Sequence, residues 1–536
     1  MNKGLNKGLL VAVVLVMASS LLLGCPRPPE VEPLVVEPVG PRRGGTLVLM
    51  GHHEVAGLSP DDVGPTVTWS MITSIHNALI QLDHNNKFQP ILAESYKVSP
   101  DGLTITFYLQ RGVLFHDGTP FTSADVKYTW EFYGDPANAA VIRGRFVNID
   151  RIETPDDYTV VVHMKVPDAT ILTIAATTYI VPKHYHSKVG QTVYRTAPIG
   201  TGAFKLVEWR PAEFTLLRAF DDHFRGRPWI DYVRLDIVPE AAVRAIALDM
   251  GKAHASIWPF IKEDNLRFAA DPRFKTYVNP SPAVNYFPIN NLLPQFEDKR
   301  VRQAMMYAVD RQRMIDDVFA GAATVAHTNM SPIFHWHNPY TRKYDYNPER
   351  AKALLDEAGW LVGPDGIRVK DGMRFSFTLH VFPGDVVRMP QAELAQYFWR
   401  EVGLEALITE TPAAVLLAGF RAGAKGMDMG LWNWTHGSIE PCAVMVLHSK
   451  GGNNFNQFRH ERMDELLEMG RREMDTEKRR LIYWEVQEIV AEEVPFLFMT
   501  YWDWFNSWCI SVQGLPETAL ASSWIFQDLH KLWFED

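Results

Sequence analysis

Cysteine is almost missing from this chain: there are three in 536 residues, at positions 25, 442 and 509. Three thiols cannot build the multi-bridge framework that holds small secreted domains together. A surplus of positive charge is missing too, with 53 Lys and Arg against 63 Asp and Glu and a net charge of −10. Gripping a nucleic-acid backbone needs clustered basic residues, so the balance argues against that partner. Beyond residue 23 no stretch reaches roughly 18 uncharged apolar residues, so no second membrane span is expected. Catalytic signatures are missing as well. Neither Gly-x-Ser-x-Gly nor His-Glu-x-x-His occurs, and no Cys/His spacing makes a zinc site. Gly200-Thr201-Gly202-Ala203-Phe204 lacks the Gly-Lys-Ser/Thr ending of a phosphate loop and reads as a tight turn before a strand.

What is present is the composition of a globular body: 47% hydrophobic, 12% aromatic and 22% charged. Its length corresponds to roughly three or four folding units. At the N-terminus, Lys3 and Lys7 precede an apolar run over residues 9–23. As a helix that run spans about 22 Å, short of the ~30 Å hydrocarbon core, so residues 1–24 read as a secretory signal peptide. Its end, Leu22-Leu23-Gly24-Cys25, resembles the lipobox of bacterial lipoproteins. That likeness implies cleavage before Cys25 and lipidation of its thiol, an anchor gaining about 0.8 kcal/mol per buried methylene. Residues 25–44 are proline-rich and read as a semi-rigid tether. The body then works outside the cytoplasm. Cys442 and Cys509 could pair there or remain buried thiols.

Strands and helices alternate without a repeat of fixed period, an α/β pattern. Strands are expected at 45–50, 103–110, 158–164 and 375–382. Ser123 is a candidate helix cap. One helix is expected over 302–319, with Gly321 as its stop. Asn347-Pro348-Glu349 opens another, and Thr476-Glu477 a third that ends before Pro495. His52-His53-Glu54 offers metal ligands or an acid/base pair without a third partner at a known spacing, or simply a loop. His184 and His186 form a similar two-residue pair. Trp432, Trp434, Trp502, Trp504 and Trp508 fall in two short clusters, which suit either core packing or an aromatic-walled cleft.

From Gly44 to the C-terminus the chain resembles the extracellular solute-binding proteins of family 5, the dipeptide-, oligopeptide- and nickel-type receptors of ABC importers. Five segments carry the likeness. They are Gly44-Gly45-Thr46-Leu47-Val48; Leu92 to Tyr96 continuing through Ser99-Pro100-Asp101-Gly102 and Arg111-Gly112 to Val126; Pro198 to Leu206; Phe296 to Ala304 with Ala308-Val309-Asp310-Arg311; and Tyr346-Asn347-Pro348 to Trp360. The resemblance implies a two-lobed periplasmic-binding-protein fold, class II-like, with an extra subdomain in lobe one. Lobe one would be 45–285 with 501–536, and lobe two 286–500. The crossings would fall near Asn285-Tyr286-Phe287 and Phe498-Met499-Thr500, and the lobes would close on ligand about a hinge.

The same resemblance implies no enzyme and no cofactor. It implies a lipid-anchored receptor on the periplasmic or extracellular face of a bacterial membrane, handing a small peptide- or oligosaccharide-like solute to an ABC permease. In peptide binders of this family a lobe-two aspartate receives the free amine. Here Gly437 or a neighbour takes its place, and Glu440 is the acidic residue of that stretch. An oligosaccharide or a modified peptide is therefore an alternative ligand, and Asn453 and Asn454 with nearby tryptophans would suit either. Nickel would need His436 or His52 and His53 in the cleft. The expected ligand-binding residues are His52, His53, Glu54, Trp258, Trp432, Trp434, His436, Glu440, Tyr501, Trp502 and Trp504. An envelope hydrolase and a ligand-sensing receptor on the same fold are the rival functions.

Overall fold

The computed structural model describes residues 41–61, 66–83, 87–280, 282–435, 443–515 and 526–535, all within the unit Pro41–Glu535. Cys25, His436, Glu440 and Cys442 lie outside the described residues. Three large sheets organise the chain. The first has seven strands in the order Phe274–Asn279, Trp504–Cys509, Ala255–Ser256, Thr46–Gly51, Tyr232–Ile237, Phe214–Ala219 and Phe204–Arg210. Thr46–Gly51 lies parallel to both neighbours, so it is buried on each side and reads as an apolar run. Gly44 and Gly45 precede it at φ 122° and 85°, a backbone that favours glycine, and a Cβ on Gly45 would stand 2.9 Å from the Phe534 ring.

The second sheet is antiparallel, in the order Ala93–Val98, Thr104–Leu109, Thr159–Met164 and Ile149–Asp156. With the helix Ser123–Gly134 it encloses its own core around Phe107, Trp130, Val160 and Val162. Asp101-Gly102 makes the expected turn: Gly102 sits at φ 68° and the Asp101 carboxylate accepts the Leu103 amide at 3.0 Å. The cap of Ser123–Gly134 is Thr122, one residue before the expected Ser123. Asp125 accepts the Thr122 amide at 2.9 Å, while the Ser123 hydroxyl is engaged by the Asp156 carbonyl at 2.6 Å.

The third sheet runs Ala323–Val325, Phe496–Trp502, Ala283–Pro288 and Trp432–Thr435. A small parallel sheet of Glu405–Glu410, Ser376–Val381 and Met429–Gly430 lies beside it. Helices cover both, and their apolar faces merge into the largest core of the molecule. The helix expected over 302–319 is two helices, Lys299–Ala308 and Arg311–Val318. Asp310 interrupts the run by accepting the Arg313 amide at 3.0 Å, which makes it the cap of the second helix. Asn347 caps Pro348–Glu357 as expected. Asp475, one residue before the expected start, caps Thr476–Glu493. Among the described residues no helix is long and apolar enough to cross a membrane.

The chain leaves the first sheet after Asn279 and enters the third at Ala283. It returns between Trp502 and Trp504. The two passages run side by side, with Asn279 paired to Trp504 and Val284 to Tyr501. Asn285-Tyr286-Phe287 and Phe498-Met499-Thr500 lie inside the third sheet and are fully buried, a few residues from the expected crossings. Pro280 and Pro282 explain the shift: neither can donate to a ladder, so the strand ends there.

Two buried histidines brace this part of the fold, His116 between the second sheet and the first, and His76 between the helix Thr66–Ile75 and the segment after Thr46–Gly51. The His116 ring contacts the Gly202 carbonyl at 2.9 Å, and the His76 ring contacts the Leu58 carbonyl at 3.1 Å. Burial pulls their pKa values down from 6.5 to about 3 and about 4. Both shifts are downward, so the unfolded chain takes up protons that the native state refuses. Native stability is full above pH 6.5 and fades as the pH falls towards 4. Between pH 7 and pH 5 the two together are expected to remove about 4 kcal/mol. Urea unfolding at pH 7 and pH 5, with proton uptake measured on unfolding, checks this. Equal stability at both pH values refutes it.

Candidate functional site

The strands Thr46–Gly51 and Ala255–Ser256 run parallel, so their C-terminal ends leave the sheet side by side. The Ile257 amide donates to the Met50 carbonyl at 2.8 Å and holds the two exits together. His52 therefore stacks on Trp258, with ring centroids 4.2 Å apart and planes 19° from parallel. His53 lies 3.8 Å from His52, and its ring meets the edge of Phe382 at 6.2 Å. Trp502 and Trp504 flank the return passage at Asp503, and each meets Trp258 edge to face, at 5.5 and 5.1 Å. An aromatic cluster thus sits where the first and third sheets join.

Arg388 adds a cation to the cluster. It begins the helix Arg388–Glu401, and its guanidinium lies 5.2 Å from the ring centres of both Trp258 and Phe382. Asp385, fully buried, pairs with Arg388, which also donates to the Asn433 side-chain oxygen. The same carboxylate accepts the Val387 and Arg388 amides at 3.1 and 2.9 Å, so one residue is both helix cap and counter-ion.

The imidazoles are neutral. Burial, then His53, Arg244 and Arg388, hold the His52 pKa well below 6.5. Burial, then Arg388, lower His53 to about 4 against the opposing pull of Asp385. Arg244 is itself buried, donating to the Val238 and Pro239 carbonyls at 2.7 and 2.6 Å. Both ring nitrogens of His52 and the Nε of Arg388 are buried without a hydrogen-bond partner among the described residues. The cluster therefore combines flat apolar walls, neutral donors and acceptors, and one internally matched ion pair.

The expected residues divide. His52, His53, Trp258, Trp502 and Trp504 come together here, whereas Glu54 is exposed to solvent. Trp432 is a core residue: it is 2% exposed, its indole donates to the Tyr286 hydroxyl at 2.9 Å, and Phe420 and Phe455 pack edge-on. Trp434 is half-buried and packs edge-on with Phe455 at 5.3 Å. Tyr501 is buried, with its hydroxyl donating to the Thr328 carbonyl at 3.0 Å. The loop asparagines brace the chain: Asn453 accepts from Arg421 at 2.9 Å and Asn454 donates to the Phe458 carbonyl at 2.8 Å. His184 faces Asp117 and His186 faces Tyr128 and Gln191, so that pair is used within the fold. No group of three His, Cys, Asp or Glu among the described residues could hold a metal ion. Cys509 is a free, half-buried thiol. Phe382, Asp385, Arg388 and Asn433 were absent from the expected set. Asp385 and Arg388 at i, i+3 are a legible helix-start pair, but their burial beside Trp258 is long-range.

Comparison with known proteins gives these elements a context. The model of bacterial extracellular solute-binding proteins, family 5 Middle, matches residues 87–456. The oligopeptide-binding protein AppA of Bacillus subtilis is 28% identical over 485 residues, covering 86% of this chain and 87% of the relative. The glutathione-binding protein GsiB of Salmonella choleraesuis is 29% identical over 457 residues, covering 82% and 86%. The structure of Bacillus subtilis AppA in complex with a nonapeptide superposes with a TM-score of 0.87 at 25% identity, covering 93% of this chain and all of that one.

Proposed function

Because the chain belongs to the bacterial extracellular solute-binding proteins of family 5, we propose that it is the lipid-anchored substrate-binding component of an ABC importer. It captures a peptide-like solute between two lobes and delivers it to a membrane permease, performing no chemistry. Lobe one comprises 45–285 with 501–536, and lobe two 286–500. Cys25 carries the lipid, and residues 25–44 span the gap from membrane to body. The solute lies against His52, His53, Trp258, Trp502 and Trp504, with Trp434 on the facing side.

One observation carries the reading. Trp258 is stacked on His52, and the guanidinium of Arg388, which falls within the proposed lobe two, lies 5.2 Å from its ring centre. An indole touched by elements of both proposed lobes is where hinge closure brings the lobes together around a solute. A modified peptide or an oligosaccharide is the second reading. It is favoured by the tryptophan walls, the neutral imidazoles and an arginine whose charge Asp385 already matches.

The test is to purify the protein from its native host, identify co-purified solute by native mass spectrometry and titrate it back by calorimetry. A small solute that binds unchanged is the expected result, and Trp258→Ala is expected to weaken it about tenfold or more. Turnover of the solute, or full affinity in Trp258→Ala, overturns the reading.

A further inference from the structure

Strands Phe274–Asn279 and Trp504–Cys509 are antiparallel neighbours, with Asn279 opposite Trp504, Tyr277 opposite Asn506 and Lys275 opposite Trp508. Side chains alternate across a strand, so Asn279, Tyr277, Trp504, Asn506 and Trp508 share one face of the first sheet. Among the described residues, each carries a buried polar atom with no hydrogen-bond partner: Asn279 Nδ2, the Tyr277 hydroxyl, Trp504 Nε1, Asn506 Nδ2 and Trp508 Nε1. All five residues are more than nine-tenths buried, with Asn506 3% and Asn279 5% exposed.

An unpaired buried donor costs about 1–3 kcal/mol, so five on one face is a demand for a partner. The row is continuous with the site above. Trp504 meets Trp258 at 5.1 Å, and Trp258 stacks on His52, whose two ring nitrogens are also unpartnered. Four of the five polar atoms are N–H groups, so what they lack is acceptors.

We propose that Asn279, Trp504 and Asn506 form a donor-lined extension of the cleft that takes carbonyl or hydroxyl oxygens of the bound solute. This rests on the reading of the cleft as the solute site. Recognition here is by neutral hydrogen bonds beneath an aromatic wall, so it serves amide carbonyls of a peptide and hydroxyls of a sugar by the same chemistry. Trp258 and Trp504 receive the apolar face, and the row receives the oxygens.

The probes are a pool of tri- to hexapeptides and a pool of neutral tri- to hexasaccharides, each titrated against the full chain and two variants. Trp504→Phe keeps the ring and removes the N–H. Asn506→Asp keeps the shape and replaces the donor with an acceptor. One pool is expected to bind the parent protein, and each variant to lose about tenfold in affinity for it while melting within a few degrees of the parent. The pool that responds identifies the source of the oxygens. Parent-like affinity in both variants overturns the donor extension and leaves the carrier reading standing, as when internal water satisfies the row. Loss of affinity only where melting shows a disrupted fold is resolved by Asn279→Asp on the neighbouring strand: parent-like affinity there also overturns the extension. A parent protein that binds neither pool overturns the extension and the carrier reading together.

Discussion

Gly200→Ala and Gly202→Ala are each expected to destabilise the protein by roughly 3 kcal/mol or more. The helix Thr66–Ile75 ends with its backbone pressed against this turn. A Cβ on Gly200 would stand 2.8 Å from both the Ile75 carbonyl carbon and His76 Nδ1. One on Gly202 would stand 2.6 Å from the Ile75 carbonyl oxygen, which already accepts the Gly202 amide at 2.8 Å. The obstacles are backbone atoms, so no rotamer change relieves them. The same turn receives His116: the Gly200 carbonyl accepts the His116 amide at 2.9 Å and the Gly202 carbonyl meets its ring at 2.9 Å. Pushing the turn outward would therefore loosen the second sheet from the first as well. Urea unfolding at pH 7 measures the effect. Gly144→Ala, where a Cβ meets nothing within 4 Å, is the control and is expected to stay within about 0.5 kcal/mol of the parent. Parent-like stability in either turn variant would mean that the close approach is not a constraint.

That turn also shows how much of the fold could be read in advance. Gly-Thr-Gly before a strand reads as a turn from residue types alone. That its glycines are demanded by Ile75, far away in the chain, does not. The same division recurs elsewhere. Asp101-Gly102 and Asn347-Pro348 are local chemistry, and the structure has them where expected. The cap at Thr122 was local too, yet was expected one residue later because two neighbouring residues compete for one role, and the break at Asp310 went unread because the apolar spacing carries through it. Where the first and third sheets join, His52, Trp258 and Trp504 were legible as chemistry-bearing types near strand ends. Trp432 had the same composition signal but is core, because its indole has a buried hydrogen-bond partner in Tyr286. Arg388 was missed because its meaning lies in Trp258, with which it shares no local spacing.

Asp385→Asn is expected to lower stability by about 3 kcal/mol, because it strands a guanidinium that is 4% exposed against apolar rings. Arg388→Met is expected to lower stability as well, because it leaves the buried Asp385 carboxylate without its counter-ion. The double variant Asp385→Asn/Arg388→Met removes both charges and keeps much of the volume. It is expected to be more stable than the sum of the single losses by about 2 kcal/mol. Binding should part company with stability. Arg388 lies over Trp258 across the junction, so both variants lacking Arg388 lose that cation–π contact, worth about 0.5–2 kcal/mol, and with it roughly tenfold of solute affinity. The double variant would then be a folded protein with a weakened grip. Unfolding curves at pH 7 and calorimetry with the co-purified solute read the two effects separately. Additive stability losses would show that the pair does not act as a unit. Unchanged affinity in the double variant would remove Arg388 from the closing contact and leave Asp385 as a helix cap alone.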